Sequence, residues 1–565
     1  MSLPLLAALV GVCLVLGYTL YGRFIARQYA LDDARTTPAV KRSDGVDFVP
    51  TRPFYLLGQH FSAIAAAGPI VGPILACLTW GWLPCVLWIA LGVVFVGAVH
   101  DVTALVASVR HGGASIAQVA RRHIGPRAWL SLTVFIWLSL VYVVVAFADV
   151  TASTFRGVTA GVPGEAGFDK GGGVAAAATL YLLLALGMGL VQRRWKPPTW
   201  ALAAIFVPMT LGCVALGTVP AVSRVLLLSG TTWHVVILVY CVVASLMPVD
   251  LLLQPRGFLG GFVLYIALAF GVVGVLFGGH AIEQPAFRDA GEGATASLFP
   301  FLFVTIACGA CSGFHGLVCG GTTSKQIARE SHCRPVGYGA MLLEAFVALI
   351  ALSTVLIVAP GDVKGRLPGS LYGDGMASFV TVVLGSDAFR FAAVFGAMAF
   401  STFVFDTIDV ATRLGRYLLQ ELFGLRGRGG AIVATIATAG VPLGILLLGG
   451  SAAWSKFWVL FGSANQLLAG LTLLSCTVWL RRSGKRSWYT AAPAAFVLAI
   501  TTWSLATHVV LGARALMSTG LDVEAVNGIV ALALLALAAV FLVEAWRALR
   551  GTARREEAVR ARAEA

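Results

Sequence analysis

Apolar runs long enough to cross a bilayer recur along this chain from Leu3 to Trp546, and no other feature restricts its fold as much. A run of ~17–25 apolar residues matches the hydrocarbon thickness as a helix, because in lipid every backbone N–H and C=O must be paired within the protein. Hydropathy places fifteen such spans, at about 3–22, 54–79, 82–108, 129–150, 174–191, 199–218, 233–253, 257–279, 299–321, 337–359, 388–410, 431–449, 456–480, 489–511 and 526–546. With 58% hydrophobic and 12% charged residues, the chain lies far from the roughly 25% charged composition of soluble domains. The expected fold class is therefore all-α, a polytopic membrane protein of about 15 transmembrane helices.

The formal net charge of +14 raises the question of a nucleic-acid partner, and the distribution of that charge answers it. With the N-terminus placed outside, most of the 40 Lys and Arg fall on alternate, inward-facing segments such as 23–53, 109–128 and 411–430. That asymmetry is the positive-inside rule. It predicts a cytoplasmic C-terminus, a lipid bilayer as the partner and no nucleic acid. No Lys or Arg precedes the first span and Arg23 and Arg27 follow it, the pattern of a retained N-out helix rather than a cleaved signal peptide. Ten cysteines, nearly all within spans, are not a disulfide framework. About twenty residues follow Trp546, so a soluble output domain is not expected.

Two spans carry helix-breaking chemistry. The second reads FYLLGQHFSAIAAAGPIVGPILACLTWG, with Gly68-Pro69 and Gly72-Pro73 at its centre. Proline there removes a backbone donor and clashes with the preceding turn, so a break near mid-membrane is expected. The seventh has a milder version, SLMPVDLLLQPRG, with Pro248, Asp250, Gln254 and Pro255. Spans two and seven are five apart and run in opposite directions, and discontinuous helices in matching positions of inverted halves mark a transporter site. This predicts a LeuT-like inverted-repeat core with broken helices at 54–410, built from repeats 54–218 and 233–410. An N-terminal helix and basic cytoplasmic loop (1–53) precede it; an accessory bundle (411–546) and a basic tail (547–565) follow. Pairing spans two and nine, seven apart, is the competing register. Between spans ten and eleven, DGMASFVTVVLG is too short to cross and reads as an interfacial or re-entrant helix.

Span nine continues into FPFLFVTIACGACSGFHGLVCGGTTSK, Phe299 to Lys325. As one helix it would align Cys308, Cys311, Ser312, His315 and Cys319 on a single face. That much polarity in lipid implies a polar passage beside it. Cys308, Cys311, His315 and Cys319 are also zinc-ligand types, and a Cys/His pair can be nucleophilic. Small residues, however, commonly let membrane helices pack closely, and no oriented third group is evident. Neither a metal, a cofactor nor an enzyme is expected. The GGTTSK end lacks the spacing and preceding strand of a phosphate loop, so the energy for transport must come from a gradient.

The candidate site residues follow from this layout. His60, just before the first break, either bonds a substrate carboxylate, carries a proton, or fixes local geometry. Backbone freed around Ala67, Gly68, Pro69 and Gly72 presents half-helix ends with partial charges of ~0.5. Ser312 and His315 supply neutral donors for a carboxylate solute, with Gln254 a further contact. Asp250 is the first choice for a coupling carboxylate, while Thr305 and Ser312 are hydroxyls suited to a coupling cation. The other intramembrane acids, Asp101, Glu344, Asp406 and Asp409, each need a partner or a proton. Asp406 and Asp409 pair either with Lys325 or with Arg413 and Arg416. Asn465 and Gln466 are expected to hydrogen-bond between helices.

Several stretches together resemble the carbon starvation CstA family: GVDFVPT, GQHFSAIAAAGPIVGPILA, WIALGVVFVGAVHD, LLLQPRGFLGG, CGACSGFHGLVCGGTTSKQI, GYGAMLLE, DVATRLGRY and LFGSANQLLAGLTLL. The resemblance implies a bacterial inner-membrane transporter related to the amino acid–polyamine–organocation superfamily. It further implies uptake of a small pyruvate-like carboxylate with a proton, or sodium, during nutrient limitation, with di- or tripeptide uptake as the alternative. An anion channel or a membrane-embedded Cys/His enzyme are the readings from other classes.

Overall fold

The computed structural model describes residues 1–44, 48–65, 67–156, 168–248, 250–291, 297–449 and 454–564. Gly45 to Asp47 of the GVDFVPT stretch lie outside them. Among the described residues the chain is helical without a strand, apart from a lone bridge between Thr51 and Ile327.

The helices in chain order are α1 (Leu3–Tyr29), α2 (Pro53–Ile64), α3 (Gly68–Trp80), α4 (Trp82–Arg110), α5 (Ile116–His123), α6 (Pro126–Phe155) and α7 (Lys170–Trp195). They continue with α8 (Thr199–Gly217), α9 (Gly230–Leu246), α10 (Leu253–Phe277), α11 (Leu298–Thr305), α12 (Gly313–Gly321), α13 (Glu330–Leu356) and α14 (Pro368–Leu384). The last are α15 (Phe389–Phe423), α16 (Gly427–Gly449), α17 (Trp454–Arg482), α18 (Trp488–Ser518) and α19 (Val523–Glu564). Among the described residues helix covers most of each of the fifteen apolar runs. Among the described residues twelve helices are individually long and apolar enough to span, or thirteen when α2 and α3 count as one bent span. The two runs that fall short are α9, a 17-residue helix, and span nine, which is split. The stretch read as a basic tail continues α19.

Burial sorts the helices into core and periphery. The apolar windows of α1, α8, α16 and α19 are only 33% buried, and they display side chains such as Leu9, Ile205, Val433 and Leu532 to the surroundings. Those of α15 and α17 are 89% buried. A helix apolar on every side yet mostly uncovered by protein needs lipid around it, so the periphery is built for the bilayer. α14, the segment too short to cross, lies along the first turns of α15, with Phe379 against Gly274 of α10 and Gly375 against Thr354 of α13.

Two helices are discontinuous. α2 and α3 meet at a 49° bend, with Pro69 in the first turn of α3, where its missing N–H is no loss. The second is span nine. Phe299 to Lys325 is not one helix with a shared polar face, because the backbone unwinds between Thr305 and Gly313. Cys308 and Cys311 lie in the unwound stretch, Ser312 is the N-cap of α12, and His315 and Cys319 are on α12. Unwinding frees carbonyls that lipid cannot satisfy, and distant side chains pair with them. Gln466 Nε2 donates to Phe303 O at 2.8 Å, Trp458 Nε1 to Thr305 O at 3.2 Å, and Trp88 Nε1 to Ile306 O at 3.3 Å.

Span seven is the correction. It is not broken within its length: α9 ends at Leu246, and α10 begins at Leu253 with Pro255 in its opening turn. Pro248 and Asp250 therefore occupy a connection between two helices. Among the described residues the other discontinuous span is span nine.

Candidate functional site

The two breaks touch. A Cβ on Gly68 would overlap Cys308 Cβ and Sγ, and one on Gly72 would stand 2.5 Å from Thr305 O. Only glycine lets α3 lie this close to the unwound stretch. Beside the contact is a cavity of about 10 Å³, with Ile64 of α2, Phe147 of α6, Ser312, His315, Thr407 of α15 and Asn465 of α17 on its wall. That volume is close to one water-sized probe. Asn465 pins the start of α12: its Oδ1 accepts from Phe314 N at 2.9 Å, and its Nδ2 donates to Ser312 Oγ at 3.0 Å and Cys308 Sγ at 3.2 Å. Asn465 and Gln466 thus bond between elements, as expected from sequence.

Below the cavity, α12 carries His315 into a buried acid cluster. Asp101 Oδ1 meets His100 Nδ1 at 2.7 Å, and its Oδ2 meets His315 Nδ1 at 2.9 Å. His315 Nε2 faces Glu344 Oε2 of α13 at 3.2 Å. All four residues are at most 1% exposed. His60 is equally buried, with Nδ1 at 2.8 Å from Thr323 Oγ1 and Nε2 at 3.9 Å from Cys319 Sγ. The structure therefore gathers His60, Gly68, Pro69, Gly72, Asp101, Ser312 and His315 around the breaks. Thr305 ends α11 and Ser312 opens α12, at opposite ends of the unwound stretch.

Asp250 and Gln254 are not part of this group. Both are exposed on the connection to α10 and its first turn, because the chain turns there instead of crossing.

Asp406 and Asp409 form a second cluster with a partner that sequence reasoning missed. The fully buried guanidinium of Arg256 donates from Nε to Asp406 Oδ1 at 2.7 Å, and its Nη1 lies 2.5 Å from Asp409 Oδ2. Tyr240 OH donates to Asp409 Oδ2 at 2.7 Å and accepts from Arg256 Nη1 at 2.5 Å. A planar fork matches two carboxylates one helical turn apart better than a lysine ammonium can. Lys325 instead sits 5.6 Å over the Phe48 ring. Arg413 Nη2 donates to Ala244 O and Met247 O at the end of α9, and Arg416 stacks on Tyr417. The signal for Arg256 was present in LLLQPRG, but its acids lie 150 residues away.

Two further pairs went unread in the sequence. His234 Nε2 lies 2.8 Å from Asp149 Oδ1, both buried between α9 and α6. Beyond the end of α4, His111 Nε2 and His123 Nε2 are 2.7 Å apart. Burial, then the neighbouring His111, pushes His123 down to about 4, and burial also lowers His111. Among the described residues no group of three or more His, Cys, Asp or Glu is arranged to hold a metal ion.

Comparison with known proteins places this geometry in context. The family described as "Carbon starvation protein CstA" matches residues 2–366 and 364–504. "Pyruvate/proton symporter BtsT" of Escherichia coli (strain K12) is 32% identical over 609 residues, covering 89% of this chain and 81% of that protein. "Peptide transporter CstA" of Bacillus subtilis (strain 168) is 33% identical over 530 residues, covering 84% of each. Among solved structures, a manganese transporter of Eremococcus coleocola aligns with a TM-score of 0.42 at 13% identity, over 90% of this chain and 99% of that one.

Proposed function

The chain belongs to the carbon starvation protein CstA family, and from that membership we propose that it is a secondary active transporter importing a small, pyruvate-like carboxylate with a proton. The named relatives are transporters rather than enzymes. The bacterial inner membrane, with the basic segments inside and the N-terminus outside, is the location that the charge asymmetry supports.

The observation that carries this reading is the contact between two broken helices. The N-termini of α3 and α12 both lie at the contact, and each adds partial positive charge where a carboxylate would sit. Ser312 on the cavity wall adds a side-chain hydroxyl, and His315, also on that wall, links the cavity to Asp101 and Glu344. A three-carbon acid needs more room than about 10 Å³, so the walls must part, and parting them on one side at a time is alternating access. In this reading spans two and nine are the matched discontinuous helices, and Asp250 plays no part in coupling. Lys325, remote from Asp406 and Asp409, is no gate.

Peptide uptake remains the second reading, because relatives of equal identity carry that name. Purified protein in liposomes, given labelled pyruvate or a labelled dipeptide with and without an imposed proton gradient, separates the two. Accumulation of pyruvate only under inward-directed protons is the expected result, and sodium-driven accumulation would replace the proton. Accumulation of neither solute under either gradient defeats the transporter reading. Binding checks the same point independently, since a solute at 100 times its Kd stabilises the fold by about 2.7 kcal/mol.

A further inference from the structure

We infer that a single titratable proton is held between His315 Nε2 and Glu344 Oε2, and that this pair is the proton-binding site of the transport cycle. The site itself stands on geometry; its place in a cycle rests on the transport reading above.

Asp101 sets the proton count. Its two oxygens face His100 Nδ1 at 2.7 Å and His315 Nδ1 at 2.9 Å. An ionised carboxylate only accepts, so both Nδ1 atoms carry hydrogen. His315 is left with Nε2, 3.2 Å from Glu344 Oε2. In a neutral ring that nitrogen is a lone pair, and in an ionised Glu344 so is the oxygen. Neither Glu344 oxygen has a hydrogen-bond partner among the described residues, the 3.2 Å approach of His315 Nε2 being a contact without hydrogen-bond alignment, and the residue is fully buried. Two lone pairs 3.2 Å apart in a buried site repel, so one proton belongs to the pair. It makes Glu344 a carboxylic acid that donates to His315 Nε2.

The surroundings make that proton consequential. The groups that face the pair are His60 on α2, His100 and Asp101 on α4, Cys308 and Cys311 in the unwound stretch, and Cys319 on α12. The ion pairs recorded for Asp101 and Glu344 are with histidines alone. With the proton, Asp101, His315 and Glu344 together carry one negative charge; without it they carry two, and no Lys or Arg among the described residues pairs with them. The three residues come from α4, α12 and α13, so the proton is what lets α12, one half of a broken helix, stay clamped between two continuous ones. His315 also forms part of the cavity wall. A carboxylate solute arriving there would meet a doubly negative cluster unless the proton is already in place, which makes proton and solute load together. The step moves one proton from outer water onto the N···O pair and releases it to inner water, and no bond other than N–H or O–H changes.

Infrared pH-difference spectra of the full-length protein in lipid test the site without needing a solute. The wild type should show a protonated carboxylic acid band that titrates, and Glu344→Gln should lose it. His315→Gln should retain the band and shift its midpoint. If Glu344→Gln does not fold, the His315→Gln shift decides alone. A band unchanged by both variants, or no titrating carboxyl in the wild type, overturns the inference. In liposomes, Glu344→Gln should lose accumulation of labelled pyruvate driven by a proton gradient, and wild-type-like accumulation would overturn the assignment. A wild type that shows the Glu344 band yet accumulates neither pyruvate nor dipeptide would defeat the transport reading and leave the proton site standing.

Discussion

Two buried acid clusters flank the contact between the breaks, and they are balanced by different chemistry. Asp406 and Asp409 share Arg256, a guanidinium that stays charged at every working pH. Asp101 and Glu344 have imidazoles, which exist both neutral and charged. The first cluster ties α10 to α15, with Tyr240 of α9 joining through its hydroxyl, and that tie is permanent. The second ties α12 to α4 and α13, and that tie depends on a proton. Paired carboxylates thus form a fixed joint in one cluster and a conditional one in the other. A transporter needs both, because one bundle can rock only against something that does not.

The largest expected effect comes from breaking the fixed joint. Arg256→Met leaves Asp406 and Asp409 buried without a counter-charge, and stripping one partner from a buried ion pair costs about 3–5 kcal/mol. Thermal melts followed by size-exclusion chromatography should show the variant losing most of its stable fraction, at pH 8 as at pH 6. Arg256→Lys keeps the charge but not the fork, and should fall between. If Arg256→Met melts like the wild type, the cluster is no joint and the contrast with Asp101 and Glu344 disappears.

The next effect should leave the fold and strike motion. Gly68→Ala places a methyl group into Cys308 where the two breaks touch. Overpacking of this kind costs about 1–3 kcal/mol, and here it falls on the contact that must open and close. Uptake should drop roughly tenfold or more, each 1.4 kcal/mol being a factor of ten, while the melting temperature moves by only a few degrees. Equal loss of uptake and of stability would mean that the contact is ordinary packing.

Much of this was legible beforehand, and the remainder was hidden for physical reasons. Among the described residues thirteen of the fifteen apolar runs mark spanning helices, with α2 and α3 counted as one, because lipid leaves the backbone no alternative. Gly68-Pro69 announces its break because proline acts locally. Span nine carries no proline within its unwound stretch. Its carbonyls are held by Gln466, Trp458 and Trp88, residues from two other spans, so a local pattern reads as continuous helix. Pro248 and Pro255 misled in the opposite sense: proline at a helix start and proline within a helix look alike until the turn is seen. Arg256 falls between spans seven and eight while its acids come 150 residues later, and Lys325, expected to pair with those acids, instead sits over the Phe48 ring.

The smallest effect isolates pH acting on stability from pH acting on transport. His111 and His123 sit outside the spans with their Nε2 atoms 2.7 Å apart. His111 Nδ1 donates to Ala107 O at 2.6 Å, so its Nε2 is bare and accepts from His123. A proton on His111 Nε2 would set two N–H groups against each other, and burial disfavours a charge on either ring. Folded His123 titrates at about 4 and folded His111 also below the ordinary value near 6.5. Between those limits the unfolded chain binds more protons than the folded one, so stability rises with pH. The contribution is complete above about 6.5 and is lost as the pH falls through about 4. Wild-type melting temperature should therefore decline across that window, and His123→Asn should flatten the decline by a small amount, because half of the pair's surroundings are solvent. Proton-driven accumulation should be unaffected. If His123→Asn instead abolishes it, the pair beyond α4, not His315 and Glu344, handles the transported proton, and the conditional joint has been assigned to the wrong histidines.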